Sequence, residues 1–171
     1  MKYIILPALL CLVCCKPTDF AGKLAAGANY TRYIATLEKS GMANTAMGKE
    51  WLTIGKEALE NTKEIEFPYR EEGYFTSNRI DARGYQFDLE KGTTLEVAIR
   101  SYPRTLELFL DVFYLRERNE RIRYDVLAPI DPNRRRLQFR IKDSGTYTIR
   151  LQPALLLGGR YELIIQQALE D

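Results

Sequence analysis

The sequence contains no histidine at all. Its three cysteines, Cys11, Cys14 and Cys15, all lie at the extreme N-terminus. Zinc sites draw mostly on cysteine and histidine, so a conventional zinc site is excluded downstream of Cys15, and no metal-ligating residues are assigned. Ser-His and Cys-His nucleophile pairs are excluded because the general base is missing. No catalytic residue and no cofactor is expected. Charge of one sign is also scarce. With 25 basic and 23 acidic residues the net charge is only +2, whereas a nucleic-acid binder shows a strong basic excess. Nucleic acid is therefore not an expected partner.

Long hydrophobic runs are absent as well. The longest, Tyr3 to Val13, falls short of the roughly 20 residues that span a bilayer. With Lys2 before it, it fits the apolar core of a secretory signal. Leu12-Val13-Cys14-Cys15 follows and resembles the lipobox of bacterial lipoproteins. That resemblance implies cleavage before Cys15 and acylation of its thiol and new amine. Cys14 stands where the pattern usually has Gly, Ala or Ser, which leaves Cys14 itself as an alternative site. A plain secretory signal and a short buried strand are the other readings of the run. Cleavage before Cys15 leaves 24 basic against 23 acidic side chains and no free thiol, which suits an oxidising compartment. Lys16 after the cysteine, in place of Asp, points by analogy to the outer membrane. The expected address is the bacterial cell envelope, with the membrane engaged through the lipid.

What remains is one ordinary domain. Residues 1–14 read as the signal and 15–29 as a small, polar tether. Over 30–62 the apolar period is helical. Tyr30, Tyr33, Ile34 and Leu37 share one face, and Gly41 is a natural stop. Asn44 is placed to cap a second helix running to about Glu60. On that helix Met47, Trp51, Ile54 and Ala58 recur, with Leu52 and Leu59 beside them. Trp51 shares this stripe and reads as core.

From Glu64 the period is two. Strands are expected over Glu64–Tyr69, Gly84–Leu89, Thr93–Arg100, Thr105–Leu115 and Arg121–Leu127, then over Leu137–Ile141 and the closing pair Tyr147–Gln152 and Tyr161–Gln166. The Thr105–Leu115 strand is apolar on both faces, as in a strand covered on two sides. Asp111 interrupts its second face and reads as a satisfied buried carboxylate or as one at the sheet rim, since buried charges survive only when paired. Residues 63–171 are thus expected to form an antiparallel β-sandwich or jelly roll of about eight strands, preceded by a short two-helix hairpin. The last two strands read as its closing hairpin.

Two resemblances rest on particular motifs. KGTTLEVAI at Lys91–Ile99 and SGTYTIRLQ at Ser144–Gln152 look like paired motifs of bacterial pre-peptidase C-terminal domains, which are β-sandwich modules. Tyr33–Leu59, EIEFPYREEGYF at Glu64–Phe75, LFLDVF at Leu108–Phe113 and TIRLQPALLLGGRYELII at Thr148–Ile165 resemble the N-terminal region of lysostaphin-like zinc metallopeptidases from Bacteroidetes-type bacteria. In those proteins a catalytic domain with histidine zinc motifs follows. None of its residues exists here, so no catalytic position is carried over, and this chain alone is not expected to cut peptidoglycan.

The function this implies is that of a non-catalytic accessory domain of an envelope lipoprotein, positioning or regulating a peptidase domain absent from the chain; a truncated product is a sub-case. The alternative is an independent envelope module that binds glycan or peptide. A glycosidase built on two carboxylates lacks any cleft-forming pattern. In Tyr69-Arg70-Glu71-Glu72-Gly73-Tyr74, neighbouring glutamates point to opposite faces and need not converge. The candidate partner surface is the apolar loop at Pro153, Leu155, Leu156 and Leu157 together with Arg134, Arg135 and Arg136. Because net charge is near zero, the arginine runs otherwise read as a solvated loop face.

Overall fold

The computed structural model describes residues 27–118, 121–129 and 135–168. Two helices come first. Helix α1 spans Ala28–Lys39 and buries Tyr30, Ile34 and Leu37, one stripe at i, i+4 and i+7. It ends at Gly41, whose φ of 77° is the left-handed conformation that glycine tolerates best. A 3-10 turn, Met42–Asn44, leads into helix α2, Ala46–Glu60. Its cap is Thr45, one residue beyond the expected Asn44. The Thr45 hydroxyl accepts from the Gly48 N–H at 3.1 Å.

The buried face of α2 is rotated from the expected stripe. It carries Gly48, Trp51, Leu52, Gly55, Ala58 and Leu59, while Met47 is 42% exposed. Close approach explains the rotation. A Cβ on Gly55 would fall 2.4 Å from the Gln152 side chain, and one on Gly84 would fall 1.7 Å from the Ala58 carbonyl oxygen. Glycines bring the helix onto the sheet, and a hydrophobic period does not register them.

Nine strands follow among the described residues: β1 Lys63–Glu64, β2 Tyr69–Phe75, β3 Arg83–Leu89, β4 Thr94–Tyr102, β5 Leu108–Arg118, β6 Arg121–Pro129, β7 Arg136–Arg140, β8 Gly145–Pro153 and β9 Gly159–Gln167. They form a five-stranded sheet in the order β1-β3-β8-β5-β6 and a four-stranded sheet in the order β2-β9-β4-β7. All pairings are antiparallel except β1 with β3. The expected sandwich and helix pair are therefore present.

Two expectations fail. The strand expected over Glu64–Tyr69 lies mostly further on, as β2. Pro68 cannot donate to a ladder, and the inward face of β2 is Tyr69, Glu71, Gly73 and Phe75, too polar to show as an apolar period. The closing hairpin does not exist either. β8 sits at the centre of the five-stranded sheet and β9 inside the four-stranded one, so the loop between them crosses from one sheet to the other. Alternation fixes which face a residue takes but not which strand it pairs with.

The main core fills the space between the sheets. Leu95, Val97, Ile149, Leu151, Leu163 and Ile165 are fully buried there. A second core lies between the helices and the outer face of the five-stranded sheet. In it Tyr30 stacks on Trp51 at 4.8 Å between ring centroids, and Phe109 packs edge-on against Tyr30 at 5.5 Å. Trp51 is core, as its period indicates.

Candidate functional site

Among the described residues, the helices cover one outer face of the sandwich and leave the other open. On the open face, the exposed side of the four-stranded sheet, β4 and β9 pair in register, so that Ala98 opposes Ile164, Arg100 opposes Glu162 and Tyr102 opposes Arg160. On the far side of β4, Ala98 opposes Arg136 of β7. A groove of about 860 Å³ opens here. Among the described residues its cations are Arg100, Arg104, Arg135 and Arg136, its one lining carboxylate is Glu96, and Ala98 and Ile164 form part of its floor.

Glu96 is already engaged. Arg136 Nη2 donates to its Oε2 at 2.7 Å. The Arg135 guanidinium donates to the Arg104 carbonyl and ties the start of β7 to the turn after β4. Arg100 reaches Glu162 only at 3.8 Å, with its side chain 74% exposed, a pairing that contributes little. Beside the groove, Tyr74, Arg160 and Tyr102 form one cross-strand row over β2, β9 and β4. The Arg160 guanidinium lies 5.2 Å from the centre of the Tyr102 ring.

The expected partner surface divides. Pro153 is buried, and its carbonyl accepts from Trp51 Nε1 at 2.9 Å. Leu155 is half-buried and donates its N–H to the Tyr33 hydroxyl at 2.9 Å. These two belong to the helix-facing core, which corrects their assignment to an open surface. Leu156 and Leu157 are exposed, at 49% and 38%. Arg136 is exposed and Arg135 half-buried. Arg134 and Cys15 lie outside the described residues. The crossover loop and the start of β7 emerge at the same end of the sandwich, because β9 and β7 both run antiparallel to β4.

Sequence reasoning singled out Tyr69–Tyr74 and Asp111 but missed the partners that make each part of a buried polar cluster. The first joins the sheets at the β2 edge. Glu71 points inward and accepts from Tyr69, Tyr85 and Tyr161, the Tyr85 bond being 2.8 Å. Burial raises the Glu71 pKa, but the hydroxyls of Tyr161, Tyr69 and Tyr85 and the charge of Arg83 more than offset it, and the carboxyl sits below its ordinary range. Burial, then Tyr161 and Glu71, push the Tyr85 phenol far above its usual value. Glu72 points the other way, toward solvent, and comes within 3.9 Å of Arg160. The two glutamates diverge, as strand alternation requires.

The second cluster lies under the helices. Arg150 and Asp111 are fully buried, with Arg150 Nη2 at 2.6 Å from Asp111 Oδ2. The guanidinium also lies 3.6 Å from the centre of the Tyr30 ring. Gln152 donates to the Trp51 carbonyl at 2.9 Å and accepts from the Tyr30 hydroxyl at 2.7 Å. Asp111 is thus the satisfied buried carboxylate, the first of the two placements expected for it. Its partner could have been sought on any strand beside one that is apolar on both faces. These sheltered carboxylates are held by fixed donors. Among the described residues no group of three or more Cys, Asp or Glu side chains is arranged to hold a metal ion.

No protein-family model and no curated protein matches the chain. Solved structures do. The pre-peptidase C-terminal domain of a collagenase from Bacillus anthracis aligns over 62% of this chain and 95% of its own, with 13% identity and a TM-score of 0.50. PliG of Aeromonas hydrophila, a periplasmic inhibitor of g-type lysozyme, aligns over 63% of this chain and 96% of its own, with 18% identity and a TM-score of 0.49. The chain thus carries a β-sandwich similar in fold to a pre-peptidase C-terminal domain. That is the fold the Lys91–Ile99 and Ser144–Gln152 motifs imply.

Proposed function

We propose that this chain is a non-catalytic, lipid-anchored module of the bacterial cell envelope that acts by binding, and that it positions or regulates a wall-lytic zinc-peptidase domain carried elsewhere. The observation that carries the reading is the asymmetry of the sandwich. One outer face is sealed by helices around Trp51 and Phe109, and the other is open and lined with arginine. A sandwich built in this way presents one face for a partner. The envelope address rests on the signal-like N-terminus, with Cys15 as the acylated residue. The peptidase partner rests on the motifs shared with lysostaphin-like proteins.

The test is to add the purified chain to a lysostaphin-like catalytic domain digesting purified peptidoglycan. The expected result is a changed rate of digestion together with co-migration of the two proteins on gel filtration. An unchanged rate and separate migration would remove the peptidase role. Palmitate labelling of cells expressing the chain checks the anchor. Label is expected to vanish in Cys15→Ala; label that persists there and vanishes in Cys14→Ala would shift the site by one residue.

The alternative, an independent module for glycan or peptide, is favoured by the exposed row Tyr74-Arg160-Tyr102, with Tyr74 60% and Tyr102 47% exposed. Retention on purified wall polymer at low salt is its expected signature, and retention should fall in a Tyr74→Ala, Tyr102→Ala double variant.

A further inference from the structure

We infer that the arginine-lined groove on the four-stranded sheet takes an extended acidic segment of a protein partner. The inference rests on the reading that this chain acts by binding, and it names what that face binds. Charge is the first argument. The whole chain carries a net charge of only +2, yet among the described residues the groove lining sets four arginines against Glu96; Arg136 already neutralises Glu96, and Glu162 at the groove edge, 3.8 Å from Arg100, is held at 2.7 Å by Arg160. A near-neutral protein has gathered cations on one face, where they raise the local concentration of an anionic partner. Arginine, the only cation type among the described lining residues, suits carboxylates because its planar fork donates two parallel hydrogen bonds.

Spacing is the second argument. Ala98, Arg100 and Tyr102 recur two residues apart on β4 and share its outer face. Positions two apart on a strand repeat at about 7 Å. An extended peptide presents its alternate side chains at the same repeat.

The floor is the third argument. Ala98 and Ile164 face each other across β4 and β9 inside the groove. An apolar floor between arginine walls matches a segment that alternates acidic and apolar residues. A phosphate polymer or a bed of lipid headgroups offers nothing apolar to cover it.

The experiment is fluorescence anisotropy on the full-length chain in detergent at low salt, with a fluorescein-labelled peptide of alternating Glu and Val as probe. Inorganic polyphosphate and phosphatidylglycerol vesicles serve as competitors. Saturable binding is expected, weakened at least about tenfold in an Arg100→Glu, Arg104→Glu variant and weakened also by Ile164→Glu. Arg32→Glu on α1 should leave it unchanged. Arg100 and Arg104 are exposed, so the double variant should keep the parent's thermal transition. Three results would each overturn the inference: no saturable binding, equal binding by parent and groove variants, or displacement of the peptide by polyphosphate at equal or lower concentration. Peptide binding without any effect on the peptidase would instead count against the proposed function and leave the groove assignment standing.

Discussion

Arg150 on β8 and Asp111 on β5 form an ion pair sealed from solvent, their side chains 0% and 2% exposed and 2.6 Å apart. Removing one partner leaves the other as an uncompensated buried charge. Asp111→Ala is therefore expected to destabilise the fold by about 3–5 kcal/mol. The double replacement Asp111→Leu, Arg150→Met should cost less than the sum of its parts, since no lone charge is left behind. Urea denaturation of Asp111→Ala, of the double variant and of its two single variants, Asp111→Leu and Arg150→Met, checks this, and strict additivity would show that the pair is not coupled.

The same face offers a reporter of helix docking. Trp51 is the only tryptophan, it is 1% exposed, and it sits where α2 meets β8. Gly84→Ala places a methyl group 1.7 Å from the Ala58 carbonyl oxygen, so the helix must move off the sheet. A loss of about 1–3 kcal/mol is expected, with red-shifted Trp51 emission. An unchanged spectrum and an unchanged midpoint would mean that the helix accommodates the methyl group without moving.

Acid should act through Glu71. Its folded pKa lies below the ordinary value, so the carboxylate contributes stability that is fully present above about pH 4.3 and is lost as pH falls through the lower, folded pKa. Glu71→Gln is expected to lower stability at neutral pH by about 1–3 kcal/mol and to flatten the acid limb of a melting profile taken from pH 7 to pH 3. Parallel profiles for parent and variant would place the acid sensitivity in other groups.

Leu156 has a φ of 63°, a left-handed conformation that costs a non-glycine residue about 1–2 kcal/mol, and it remains 49% exposed. Leu156→Gly relieves that cost while loosening the unfolded chain, so stability should be unchanged or rise by up to about 1 kcal/mol. A fall in thermal midpoint would mean that the leucine side chain packs more than its exposure indicates.

Much of this architecture was legible in the residues. Tyr30, Ile34 and Leu37 mark one helix, and Leu95, Val97 and Ile99 mark a strand face, because apolar period follows directly from backbone geometry. What period cannot carry is partnership. Arg150 and Gln152 alternate with apolar residues and so look solvent-facing. They are buried because α1 and α2 lie over them, their polar atoms engaging Asp111, the Trp51 carbonyl and the Tyr30 hydroxyl. Glu71 hid β2 for a similar reason, since Tyr85 and Tyr161 from other strands join Tyr69 in making an inward carboxylate tolerable. The groove was masked by averaging: a net charge near zero does not show that Arg100, Arg104, Arg135 and Arg136 converge.

The placement of β9 also governs the order in which the sandwich can assemble during synthesis. Within the four-stranded sheet β2 and β4 have no ladder with each other; each pairs with β9. The five-stranded sheet is complete once Pro153 has emerged, whereas β2 and the β4–β7 pair wait for Gly159 through Gln167. A chain emerging from the ribosome therefore holds half a sandwich until β9 is free to pair, with inner-face side chains such as Val97 and Phe75 still in search of cover.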